Sequence, residues 1–159
     1  MYGKPSIGCY FDHANYSNDE LSVKIIELAT LHGFKSFGAD WTREESNLLN
    51  RAYHEVLSKR RDDSQSLYKV NKKAIDWMNE QETRAFLYWG NNGEANAFGL
   101  WPDIEGAREN CEFVSSKRNE FPPVGYVGKW LHISDHGNAT LYFKPEENEY
   151  NNIVIWSIV

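Results

Sequence analysis

The chain has 159 residues, enough for one domain with a substantial buried core. Its 41% hydrophobic and 25% charged content is ordinary globular usage and excludes disorder as the main state. A net charge of −6 disfavours broad binding to nucleic acid, which needs many Lys and Arg against phosphates, yet the carboxylates are too sparse for a DNA mimic.

The opening MYGKPSIGCYFDH has no apolar signal core, and no run in the chain approaches the length of a membrane span. A cytoplasmic protein without membrane contact is the expectation. Ser6 to Phe11 reads as a short strand closed by Asp12, His13, Ala14 and Asn15. Ser17 and Glu20 then have the spacing of a capping box, with Leu21, Ile25, Leu28 and Ala29 on one helical face and Gly33 as the stop. Thr42 and Glu45 open a second helix with Leu48, Leu49, Ala52, Tyr53, Val56 and Leu57 as its stripe. The basic triplet Lys59-Arg60-Arg61 complements its dipole at the far end. A third helix runs to about Glu82, with Leu67, Val70, Ala74, Trp77 and Met78 inward, and is expected to pack antiparallel to the second. Its polar face carries Lys69, Lys72 and Lys73; with the basic triplet these would serve a nucleic-acid binder, the weakest of the functions weighed.

After Thr83 the period changes from helical to alternating. Arg84 to Trp89 is a strand, Asn91-Asn92-Gly93 a turn, and Asn96 to Trp101 the return strand, stopped by Pro102. Ile104 to Asn110 suggests one or two helical turns, and Cys111 to Val114 another short strand. A polar loop from Ser115 to Gly128 leads to the most legible stretch, the hairpin from Lys129 to Lys144. Asp135-His136-Gly137-Asn138 is its turn and supplies the positive-φ residues a tight reversal needs. Ile153 to Val159 closes the chain as a strand apolar on both sides, expected inside the sheet. The fold expected is α+β in a single domain over residues 1–159. An N-terminal strand and two to three helices pack on a meandering antiparallel sheet formed by the C-terminal half, which the first strand joins.

No phosphate loop, dinucleotide fingerprint or nucleophile elbow is present. Cys9 and Cys111 sit in no metal or redox spacing and read as two buried thiols. Asp12 and His13 with His132, Asp135 and His136 are the one suggestive constellation. Carboxylates and imidazoles together can hold a divalent metal that activates water, or act as an acid–base pair. The spacing matches no metal motif, and a turn with a half-buried strand histidine explains the same residues. No cofactor or resident metal is expected. A fourteen-per-cent aromatic content leaves rings to spare for contact. The candidate binding residues are Tyr88, Trp89, Asn91, Asn92, Trp101, His132, Asp135, His136 and Asn138.

At WGNNGEANAFGLWPDIE, GKWLHISDHGNATLYF and the closing IWSIV, the second half resembles small uncharacterised proteins that recur in phage and prophage genomes. In these, a segment like Ala74-Ile75-Asp76-Trp77-Met78-Asn79 precedes a Gly-rich aromatic hairpin, and a W-x-H-x-x-D-H-G-N-x-T-L-Y segment follows. The resemblance brings no activity, catalytic residue or cofactor. It implies context: small phage accessory proteins often act by binding host machinery, defence systems included. Two functions follow as expectations. One is a non-enzymatic binding or inhibitor protein, engaging a host protein or sequestering a small nucleotide signal, with homo-oligomer formation open. The other is a metal-dependent phosphoester hydrolase using the Asp/His constellation.

Overall fold

The computed structural model describes residues 5–34, 64–92, 97–146 and 152–159. The second helix expected from Thr42, its pairing with the third, and the basic triplet Lys59 to Arg61 lie outside these residues, as does Gly93 of the first turn. The chain divides into two compact units. The first holds residues 1–82 and 88–101; the second holds 83–87 and 102–159. The fold is α+β, with an N-terminal strand, helices, and a mixed, mostly antiparallel C-terminal sheet.

In the first unit, strand β1 (Gly8–Asp12) leads to helix α1 (Asn18–Leu31). The capping box forms as read: the Glu20 amide donates to Ser17 Oγ at 3.3 Å, and the Ser17 amide donates to Glu20 Oε2 at 2.9 Å. At the other end Phe34 N–H reaches Ala29 O and Gly33 N–H reaches Thr30 O, a Schellman closure with Gly33 at φ +110°. Leu21, Val23, Ile25, Ile26 and Ala29 are buried. Helix α2 (Ser64–Gln81) buries Leu67, Val70, Ala74 and Met78 at spacings of three and four, so its inward stripe is the one the periodicity predicts.

Strands β2 (Leu87–Asn92) and β3 (Ala97–Pro102) complete a three-stranded sheet in the order β1-β3-β2. The predicted strand from Arg84 starts three residues late because Phe86 sits at φ +58°, which breaks extended backbone. Central β3 is buried from Ala97 through Leu100. Gly99 is obligatory there: a Cβ would lie 2.2 Å from the Gly8 carbonyl oxygen and 2.9 Å from the Trp101 ring.

In the second unit, helix α3 (Ile104–Asn110) is capped by Asp103, whose Oδ1 accepts from the Gly106 amide at 2.9 Å. Strands β4 (Phe113–Ser115), β5 (Gly128–Ile133), β6 (Ala139–Lys144) and β7 (Ile153–Ile158) form a four-stranded sheet in that order. β4 runs parallel to β5, and the rest is antiparallel.

Three expectations change. The single expected sheet is two: the first strand joins the β2–β3 hairpin by pairing with β3, while β4 to β7 form a separate sheet. β7 is an edge strand: Trp156 is buried, but Ile153 and Val154 are half-exposed, so its apolar character is not spent on two buried faces. Cys9 is exposed on edge strand β1, while Cys111 is buried. Burial pushes the Cys111 thiol up, against a smaller lowering by Lys129.

Candidate functional site

Cross-strand partners share a face of a sheet, so the register of the second unit sorts its side chains into rows. Val114, Leu131, Leu141 and Trp156 make one apolar row. Leu131, Leu141 and Trp156 are buried, and the Trp156 indole donates to Ala85 O at 2.8 Å. Phe113, Trp130, Tyr142 and Val154 make an aromatic row on the opposite face. Trp130 and Tyr142 stack at 4.4 Å between ring centres, Phe121 meets Trp130 edge-on at 6.2 Å, and the Trp130 indole donates to Asn152 Oδ1 at 2.9 Å. The loop that carries Phe121 thus closes over Trp130.

Beside the aromatic row runs a polar one: Ser115, His132, Thr140 and Ser157, one from each strand. Ser115 is fully buried and lies 3.3 Å from His132 Nδ1; Thr140 and Ser157 hydroxyls share a 2.8 Å hydrogen bond. Burial falls along the row, with His132 and Thr140 half-buried and Ser157 exposed. A ligand could therefore meet His132 Nε2 and the Thr140–Ser157 pair, but not the Ser115 hydroxyl. That burial argues against Ser115 as a nucleophile, since an attacking oxygen must reach its substrate.

The turn at the end of this hairpin lies where predicted, but of the Gly137–Asn138 pair only Gly137 takes positive φ. Ser134 N–H donates to Asn138 O at 2.8 Å, Gly137 N–H donates to Ser134 O at 3.0 Å, and Gly137 takes φ +81°. The Asn138 amide also donates to Ser134 Oγ at 3.2 Å, which locks the reversal. Asp135 and His136 are exposed at its tip.

Asp12 and His13 belong to the first unit. Both Asp12 oxygens serve the local turn, accepting from Ala14 N at 2.8 Å and Asn15 Nδ2 at 3.5 Å. His13 Nε2 meets Asn91 Oδ1 at 3.1 Å, so the imidazole is the donor and ties the β1–α1 turn to the end of β2. Two residues proposed for different roles are thus brought together, as a structural clasp. Among the described residues, no three His, Cys, Asp or Glu side chains gather where they could hold a metal ion.

The remaining candidates separate by burial. Trp89 is 4% exposed and stacks on Phe98 at 6.1 Å, so its ring is core and cannot present itself to a partner. Its backbone is held by Asn79, whose Oδ1 accepts from Trp89 N at 2.6 Å while its Nδ2 donates to Trp89 O at 3.0 Å. Trp101 is half-buried and donates its indole N–H to Gly90 O at 3.0 Å. Asn92 is half-buried, and Tyr88 and Asn91 are exposed.

Residues the sequence reading passed over are more telling. Phe121 is 61% exposed and Val124 97%, with Val127 also open, all in the loop between β4 and β5. The Phe-Pro-Pro-Val run was the available signal, since two prolines hold a segment off both helix and ladder. Thr140 and Ser157 carried no such signal, because only the strand register sets them beside His132.

No family model, curated protein or solved structure matches the chain.

Proposed function

We propose that the chain is a non-enzymatic binding protein whose second unit docks on another folded protein. The observation that supports this is the chemistry of the exposed large hydrophobic residues. Among the described residues of the first unit they are Tyr16, Leu31, Tyr68 and Tyr88, three of the four with a hydroxyl to offer water. In the second unit they are purely apolar, and Phe121, Val124 and Val127 follow one another in a single loop. An exposed apolar cluster costs solubility unless a partner covers it. The resemblance of the second half to phage-encoded proteins supports the partner class proposed: a protein of the bacterial host, with defence components foremost, which the binder would inhibit by occupying its surface.

Capture from host lysate tests this, with the intact chain beside Val124→Glu and Tyr68→Glu. Val124 contributes almost nothing to the core, so its substitution changes the surface alone. A partner retained by the parent chain and by Tyr68→Glu, and reduced at least about tenfold by Val124→Glu, supports the reading. Equal retention by all three, or no retained protein, overturns it.

A second reading, sequestration of a small nucleotide, draws on the half-open His132–Thr140–Ser157 row, which offers an imidazole nitrogen and hydroxyls along one line. Equilibrium dialysis against a panel of nucleotides, with His132→Ala as the control, decides it. Binding that survives His132→Ala, or no binding at all, removes it.

A further inference from the structure

Sheet edges offer unpaired backbone groups, and folded proteins normally blunt them. β2 is blunted by the Asn79 amide, which occupies both the N–H and the C=O of Trp89 as a neighbouring strand would. β4 is only three residues long. β7 carries neither device: it has six residues, and its sequence IVIWSI has no charge, no Pro and no Gly. Among the described residues no strand pairs with its outer side, and Ile153 and Val154 are 52% and 53% exposed.

We propose that a second copy of this chain pairs antiparallel with the outer edge of β7 about a two-fold axis at Ser157, joining the two four-stranded sheets into one. Three observations select a second copy as the occupant. The first is charge: two chains of net charge −6 repel wherever their carboxylates meet, and Ile153–Ile158 offers an approach with no charge on it. The second is the match of faces. About Ser157, Trp156 of one copy falls opposite Ile158 of the other, so the buried apolar side continues unbroken. Ser157 meets Ser157, so the polar row of Ser115, His132, Thr140 and Ser157 runs on into its own mirror order. The third is the irregularity in β7 at Ile155, between the partners of Leu141 and Tyr142. It breaks the strand's outer edge there and leaves Trp156 to Ile158 as the regular segment, which centres the pairing on Ser157.

One strand pair buries less than the ~800 Å² per partner of a standard stable interface. The dimer is accordingly weak and concentration-dependent. This inference stands apart from the docking loop of Phe121 and Val124, which is on different residues.

Sedimentation equilibrium of the whole chain from low to high micromolar concentration tests it. The parent chain should pass from monomer to dimer. Ser157→Lys and Ser157→Glu each place like charges at the axis and should raise the dissociation constant at least about tenfold. An equimolar mixture of the two should restore the dimer, which loss of folding in either variant could not produce. A parent chain that stays monomeric, a dimer indifferent to Ser157→Lys, or a mixture that fails to recover overturns the inference. Capture of a host partner by Ser157→Lys at the parent's level would leave the docking loop standing whichever way the dimer falls.

Discussion

The two sheets manage their edges by different means. In the first unit the edge strand β2 is met by an amide from α2, a carbonyl of β2 is met by the Trp101 indole, and central β3 is buried over four successive residues. In the second unit no strand among the described residues pairs with the outer side of the last one, the loop before β5 leaves Phe121 and Val124 largely exposed, and the polar row runs from buried Ser115 out to exposed Ser157. Among the described residues, the first unit closes its β2 edge with side chains. The other leaves groups unspent, and unspent apolar groups are what association uses.

The heaviest test of this contrast compares matched core deletions. Phe98 and Leu141 are both fully buried, one in each sheet. Phe98→Ala should cost about 4 kcal/mol and Leu141→Ala about 3 kcal/mol in urea unfolding. Amide exchange should then speed most in the unit that carries the substitution. Uniform acceleration across both units would show that they unfold as one cooperative body, and the contrast would be one of surface only.

Next comes Gly99→Ala. The added methyl meets the Gly8 carbonyl, which is backbone and cannot swing aside, so about 2–3 kcal/mol should be lost. Asn79→Ala removes two hydrogen bonds at the β2 edge and should cost about 2 kcal/mol, with the Trp89 amide exchanging faster than its neighbours. If Asn79→Ala is neutral, water replaces the side chain without loss and the β2 edge is not closed in the sense used above.

What the sequence made legible is mostly local. Ser17 with Glu20, Gly33 at a helix stop, and Gly137 in a five-residue reversal are each decided within a few residues, and each appears where read. Partner choice among strands was not legible. Nothing within SIGCYF states that it pairs with Ala97 to Leu100, nor within IVIWSIV that among the described residues it has one neighbour, β6. A doubly apolar strand suggests two covered faces, whereas β7 places Trp156 inward and leaves Ile153 and Val154 outward across an irregular register. The Asp/His constellation is divided between the units: Asp12 and His13 belong to the first and His132 to the second, and Asp12 and His13 each make hydrogen bonds of their own. The polar row escaped notice because its four members are separated by 17, 8 and 17 positions and meet only through register.

The smallest expected effect is a pH dependence carried by two groups of the second unit. Burial raises the Cys111 thiol, and burial together with nearby Cys111 and Glu112 raises the Tyr126 phenol. Both groups are neutral when protonated, so a raised value means that the fold favours the protonated form. The associated stability is complete below the unfolded-state values and is lost as pH climbs through the folded ones. The loss therefore falls on the alkaline side, beginning near the ordinary thiol value of 9.0. Melting temperature should hold to about pH 8 and decline toward about pH 10. Cys111→Ala removes one of the two contributors and one of the charges that opposes Tyr126 ionisation, so its alkaline decline should be shallower. A Cys111→Ala chain that declines as steeply as its parent would place the alkaline loss on groups other than this thiol.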